Sequence, residues 1–104
     1  MDKILSLVGI ATRAGKTVSG TGACELSLKN GQAKLVLISQ DAGKNTVKHF
    51  TDMATYRDIP VFVLSDNGEL GSRIGHPERK TLCITDIGFA QAVKKQINLN
   101  LEVK

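Results

Sequence analysis

The sequence predicts an α/β sandwich, a central sheet carrying helices on both faces. Two observations lead there. Helical and strand-like hydrophobic patterns alternate at short intervals along the 104 residues. The apolar runs between the helices are also continuous rather than alternating, as in strands covered on both sides. Length sets the scale: 104 residues with 41% apolar side chains fit one domain, residues 1–104, and leave no room for a second. The predicted order is α-β-α-β-α-β-α-β-α.

The first helix runs from Asp2, a candidate cap, to about Arg13, because Ile4, Leu7, Val8 and Ala11 repeat at helical spacing. Ala14-Gly15 stops it. Thr17-Val18-Ser19 is a short extended piece, and a second helix starts near Gly20 to Gly22 and ends at Asn30-Gly31. Lys34 to Ser39 reads as a buried central strand. Asp41-Ala42-Gly43 leads into a third helix, about Lys44 to Arg57, with Val47, Phe50 and Ala54 on one stripe, and Asp58-Ile59-Pro60 breaks it. Val61 to Leu64 reads as another buried strand. Ser65-Asp66-Asn67 offers caps for a short helix carrying Leu70 and Ile74, ended by Gly75. Thr81 to Thr85 is the last strand. Asp86 then caps a final helix on which Phe89, Val93 and Ile97 stack, with Lys94 and Lys95 suiting its C-terminal dipole.

Composition removes several classes. The apolar fraction is too high for a disordered chain, and two Cys are too few for a disulfide scaffold. No stretch approaches the ~20 apolar residues of a membrane span. Met1-Asp2-Lys3-Ile4 lacks the features of a signal peptide, so a cytoplasmic chain with no membrane contact is expected. Fourteen Lys+Arg against ten Asp+Glu give a net charge of +4, a balance that suits a nucleic-acid partner.

Nucleotide and metal chemistry fare poorly. Gly9 to Thr17 imitates a phosphate-cradling P-loop, but five residues rather than four separate Gly9 from Gly15, and the segment closes a helix instead of opening one. Gly20-Thr21-Gly22-Ala23-Cys24-Glu25 resembles a dinucleotide fingerprint with Glu25 in the third glycine's place, where an acid repels a pyrophosphate. The same helix start still leaves backbone N–H groups free to hold a phosphate of a nucleic acid. Cys24 and Cys83 are far apart in sequence and match no paired metal spacing, so both read as reduced core residues. His49 and His76 have no visible nucleophile beside them. No metal, no cofactor and no enzymatic activity are expected.

On the second helix, at 100° per residue, Cys24, Ser27 and Leu28 share one face, while Gly22, Glu25, Leu26, Lys29 and Asn30 lie opposite. Leu26 is thus an apolar residue on a polar outer face, suited to a base or to a partner protein. Basic residues cluster at Arg13-Lys16, Lys44-Lys48 and Arg79-Lys80. In an alternating sandwich the start of helix two, the turn Gln40 to Lys44 and the loop before the last strand can meet at one end and track a phosphate backbone.

Three blocks then resemble the L7Ae/L30e ribosomal-protein superfamily, whose founding members bind kink-turn RNA. They are Gly20 to Ile38, with its helix-opening glycine and the Gly31 before the strand; Gln40-Asp41 followed by a helix; and Glu69-Leu-Gly-Ser-Arg-Ile-Gly75, similar to the family's E-L-G-x-x-x-G. Leu7 to Gly20, Gln40 to Lys48 and Thr85 to Ala90 look like its bacterial YlxQ branch. The resemblance implies a three-layer α-β-α sandwich around a mixed four-stranded sheet. It also implies a partner in ribosomal or other structured RNA, with possible ribosome or translation-factor association, and a monomer.

The resemblance places RNA contacts at Gly20, Thr21, Gly22, Ala23, Leu26, Lys29, Asn30, Asp41, Lys44, His76, Arg79 and Lys80. Kink-turn binders carry N-E-x-x-K at the start of helix two; here Gly22 and Ala23 match the Asn-Glu pair and Leu26 matches the Lys. Asn30 stands where an Arg is common. The family's apolar loop against a flipped-out nucleotide corresponds to His76-Pro77-Glu78-Arg79. The alternative is a protein-interaction module on the same fold, anchored by Leu26.

Overall fold

The computed structural model describes residues 1–102. Its elements are α1 (Asp2–Arg13), β1 (Thr17–Ser19), α2 (Thr21–Lys29), β2 (Leu35–Ile38), α3 (Lys44–Tyr56), β3 (Val61–Val63), α4 (Leu70–Arg73), β4 (Thr81–Ile84) and α5 (Ile87–Glu102). This is the predicted α-β alternation. The four strands form a mixed sheet in the order β1-β4-β2-β3. β4 is antiparallel to both neighbours, while β2 and β3 are parallel and joined through α3.

Alternate residues of the central strands feed two cores. Leu35, Leu37, Leu82 and Ile84 point to one face and meet Ile4, Leu5 and Val8 of α1, Leu70 of α4 and Val93 and Ile97 of α5. Val36, Ile38 and Cys83 point to the other and meet Cys24 and Leu28 of α2 and Phe50 and Ala54 of α3. With both faces covered, β2 and β4 are buried along their whole length, which is why their sequences are unbroken apolar runs.

Two local expectations are corrected. Val61 to Leu64 is not a fully buried strand: β3 lies at the sheet edge, and Val63 is half exposed. Asp2 is not a cap but the first residue of α1, and its carboxylate faces Arg73 at 3.5 Å. Cys24 and Cys83 are free, buried core residues as expected, and although remote in sequence they meet beneath α2, because β4 passes under that helix. The Cys24 side chain and burial together push the Cys83 thiol up, so Cys83 stays protonated. Other expectations hold. Gly15 ends α1 with φ +74°, and Asp86 caps α5 by accepting from the Phe89 amide at 2.9 Å. None of the described helices is long and apolar enough to cross a membrane.

Candidate nucleic-acid interface

β1 and β2 end, and β4 begins, at the same end of the sheet, since Ser19 pairs with Leu82 and Ile38 with Thr81. The chain therefore brings the starts of α2 and α3 to the two sides of the α4–β4 loop. The Gly20 amide donates to the Thr81 carbonyl at 3.0 Å, and the Ser39 amide donates to the Lys80 carbonyl at 2.8 Å.

Two consecutive residues of that loop reach in opposite directions. Arg79 Nη1 donates to Ser19 Oγ at 2.7 Å, and its side chain lies across Gly20, where an added Cβ would sit 3.7 Å from Arg79 Nε. Lys80 Nζ reaches Asp41 Oδ2 at 2.7 Å, just before α3. The hydrogen bond from Lys80, helped by one from Ser39 Oγ at 2.6 Å, holds the Asp41 carboxyl below its ordinary range.

Behind these residues sits a hub that the sequence hinted at only as a cap. Asp66 is buried, and its carboxylate accepts from the Gln40 amide at 2.9 Å, the Gly68 amide at 3.2 Å and the Leu70 amide at 2.8 Å. Ser39 Oγ lies 2.9 Å from it as well. One side chain thereby locks the turn before α3 to the loop before α4. Gly68, with φ +77°, lets Asp41 pack close: a Cβ there would stand 2.9 Å from Asp41 Oδ2. Gly71 has a different reason. A Cβ on it would collide with the carbonyl oxygens of His76, Arg79 and Pro77, so the loop folds back tightly over α4. The E-L-G pattern signalled Gly71, whereas nothing in the sequence singled out Ser19, Ser39 or the hub role of Asp66.

Among the described residues, neither α2 nor α3 has a side-chain cap at its N-terminus; Gly20 and Gly43 hold those positions. The first amides of both helices, at exposed Thr21, Gly22, Ala23 and Lys44 among others, therefore face outward unpaired, with the positive end of each helix dipole behind them. That arrangement accepts anions.

The structure brings together Gly20, Thr21, Gly22, Ala23, Asp41, Lys44, Arg79 and Lys80, with His76 exposed on the same loop. Lys29 and Asn30 lie at the other end of α2, and Asn30 Oδ1 accepts from the Gln32 amide in the following turn. Leu26 projects from the outer face with 62% exposure, while Cys24, Ser27 and Leu28 are buried, as the helical spacing predicts. The basic clusters do not all converge. Lys16 sits where β4 ends, its carbonyl accepting from the Thr85 amide, and Lys48 pairs along α3 with Asp52 at 2.9 Å. Glu78 lies 3.7 Å from Arg79 and 3.8 Å from His76, so the site holds three fixed cations, Lys44, Arg79 and Lys80, against two carboxylates, Asp41 and Glu78. His49, from α3, instead bridges to Glu25 of α2 at 2.6 Å. No group of three His, Cys, Asp or Glu among the described residues is placed to hold a metal ion.

Residues 2–94 match the family described as ribosomal protein L7Ae/L30e/S12e/Gadd45. The chain belongs to this family. The RNA-binding protein YlxQ of Enterococcus faecium is 38% identical over 96 residues, 92% of each chain. Its namesake in Bacillus subtilis is 40% identical over 84 residues, 81% of this chain and 84% of the relative. The large ribosomal subunit protein eL8 of Thermoplasma volcanium is 29% identical over 92% of this chain and 80% of its own. A solved structure of a Bacillus halodurans protein of unknown function superposes with a TM-score of 0.87 at 36% identity, covering 92% of this chain and 97% of that one. The L7Ae-type fold thus accounts for the sheet order and for the meeting of α2, α3 and the α4–β4 loop.

Proposed function

We propose that residues 1–104 act as a single, monomeric, non-enzymatic RNA-binding domain in the cytoplasm, directed to ribosomal or other structured RNA. The observation that carries this reading is the pair of uncapped helix starts drawn together by Arg79 and Lys80. Phosphates seat on the free amides and on Lys44, while Asp41 positions Lys80. Kink-turn RNA is the class to try first, because the resemblance to kink-turn binders places their contacts at these same helix starts and loop. Base-edge reading is minor here. Gly22, Ala23 and Leu26 present no side-chain donor or acceptor, so shape and backbone contacts dominate.

The test is a fluorescence-anisotropy titration of a kink-turn RNA and a plain duplex of equal length at two salt concentrations. The expected result is salt-dependent binding with a preference for the kink-turn that persists at the higher salt. Changing Lys44, Arg79 and Lys80 together to Glu should lower affinity and flatten the salt slope. An unchanged slope refutes the placement, and no binding to either RNA refutes the function.

A second reading, a protein-interaction module, draws on the exposure of Leu26 beside exposed Ala23. It requires a defined protein partner whose association survives ribonuclease and is lost in Leu26→Lys.

A further inference from the structure

On the α1 side of the sheet, α1 and α4 leave a groove of about 190 Å³ lined by Leu5, Ser6, Gly9, Ile10, Arg13 and Arg73. Ser6 and Gly9 are the small residues of its lining, beside Leu5 and Ile10, and the two arginines border it. Gly9 is in the middle of α1, where glycine is the poorest non-proline helix former. Packing does not demand a glycine there. A Cβ would meet Arg13 Nη1 at 3.6 Å and the Arg73 carbonyl at 3.8 Å, which are ordinary contacts. What the glycine provides is depth between the two arginines.

Arg13 has no carboxylate partner among the described residues, and Arg73 has only Asp2, at 3.5 Å and almost fully exposed. A pair of that kind is weak and readily exchanged for a better anion. Arg73 is also rigidly linked to the interface above, since α4 carries Gly71, against which the His76, Pro77 and Arg79 carbonyls pack. The groove and the α4–β4 loop are therefore two sides of one element. The groove opens on the face of the sheet opposite α2 and α3, so a stem that engages both passes from one face to the other of a molecule 32 Å in its longest extent.

We infer that the α1–α4 groove is a second RNA-backbone site, in which Arg13 and Arg73 clamp a phosphate of the stem leaving the α2–α3 interface. Arginine suits this role because its planar fork pairs two donors with a phosphate. The inference rests on the RNA-binding reading, and its test separates the two.

Anisotropy titrations would compare the wild type with the double variant Arg13→Gln, Arg73→Gln, on a kink-turn RNA with long flanking stems and on one trimmed to the kink. Lys94→Gln with Lys95→Gln, on the exposed face of α5, serves as the charge-matched control. On the long-stemmed RNA the arginine variant should lose about fivefold to tenfold in affinity and reduce the salt slope by about 0.7 to 0.9, the share of one phosphate. On the trimmed RNA it should match the wild type, and Gly9→Ala should weaken only long-stem binding while raising the melting temperature. Equal losses in the arginine and lysine variants overturn the clamp, as does no loss in the arginine variant while Lys44, Arg79 and Lys80 still matter. Absence of RNA binding by the wild type overturns both proposals.

Discussion

Lys80 Nζ lies 2.7 Å from Asp41 Oδ2, and this contact ties the start of β4 to the turn that opens α3. Asp41 is fully engaged by the protein, one oxygen by Lys80 and the other by Ser39. Its role is therefore to hold a cation in place. A phosphate arriving at the α3 start would compete with Asp41 for Lys80, so the ion pair would weaken the proposed site's attraction for anions while fixing the lysine geometry.

The pair sets a pH dependence. Because Asp41 titrates lower when folded, its contribution to stability is complete above the ordinary carboxylate range and is lost as pH falls through the depressed value. Carbon-detected NMR should place its midpoint below 3.8, and Lys80→Ala should move it back up towards 3.8. Asp41→Asn should tighten RNA binding by about twofold to fivefold at low salt through removal of one competing carboxylate. A midpoint at or above 3.8 in the wild type would show that the ion pair does not persist in solution.

Asp66 should matter more for stability than any other polar residue of the site. Asp66→Ala leaves the amides of Gln40, Gly68 and Leu70 without their acceptor. A fully buried stranded donor costs about 1–3 kcal/mol, and since only the Leu70 bond is buried while the Gln40 and Gly68 bonds are part-buried, urea unfolding should show a loss of roughly 3–5 kcal/mol. Asp66→Asn keeps one carbonyl oxygen and should lose less than half of that. A cost within 1 kcal/mol for the alanine variant would contradict the hub.

Gly71 is required by space rather than by backbone torsion, as its φ is not in the left-handed region. Gly71→Ala forces a methyl against three carbonyl oxygens and should cost roughly 3 kcal/mol. Loss of helical circular dichroism on heating should come correspondingly earlier. Gly75→Ala is strained by its φ of +82° but meets nothing within 4 Å, so it should cost only about 1 kcal/mol.

These residues show where sequence reasoning reaches and where it stops. The central strands were readable because burial on both faces removes polar residues from Leu35–Ile38 and Thr81–Ile84 almost entirely. β3 has the same apolar look yet lies at an edge, since composition reports on neighbours above and below a strand and not on those beside it. The outward face of α2 followed from helical spacing alone. The α2–α3–loop convergence followed from the alternating topology together with the family resemblance. Partners between remote segments did not: Arg79 with Ser19, Lys80 with Asp41 and His49 with Glu25 are separated by 60, 39 and 24 positions. Such pairings depend on strand register, and a cluster of basic letters does not show which of them are already neutralised.

Leu26 offers the most direct control over affinity. It is 62% exposed on the outer face of α2, so replacing it removes no core packing. Leu26→Lys should change stability by less than about 0.5 kcal/mol, since surface substitutions away from special features usually do. The new ammonium would stand on the helix whose free amides belong to the proposed site, one turn from Gly22 and Ala23. One added phosphate contact should steepen the salt slope by roughly 0.7–0.9 and tighten binding several-fold at low salt. The same substitution should abolish any association built on the leucine as an apolar anchor. Titration with RNA therefore moves in one direction if α2 faces a phosphate backbone. An unchanged RNA affinity, combined with loss of a defined protein partner, would instead assign this helix face to protein recognition.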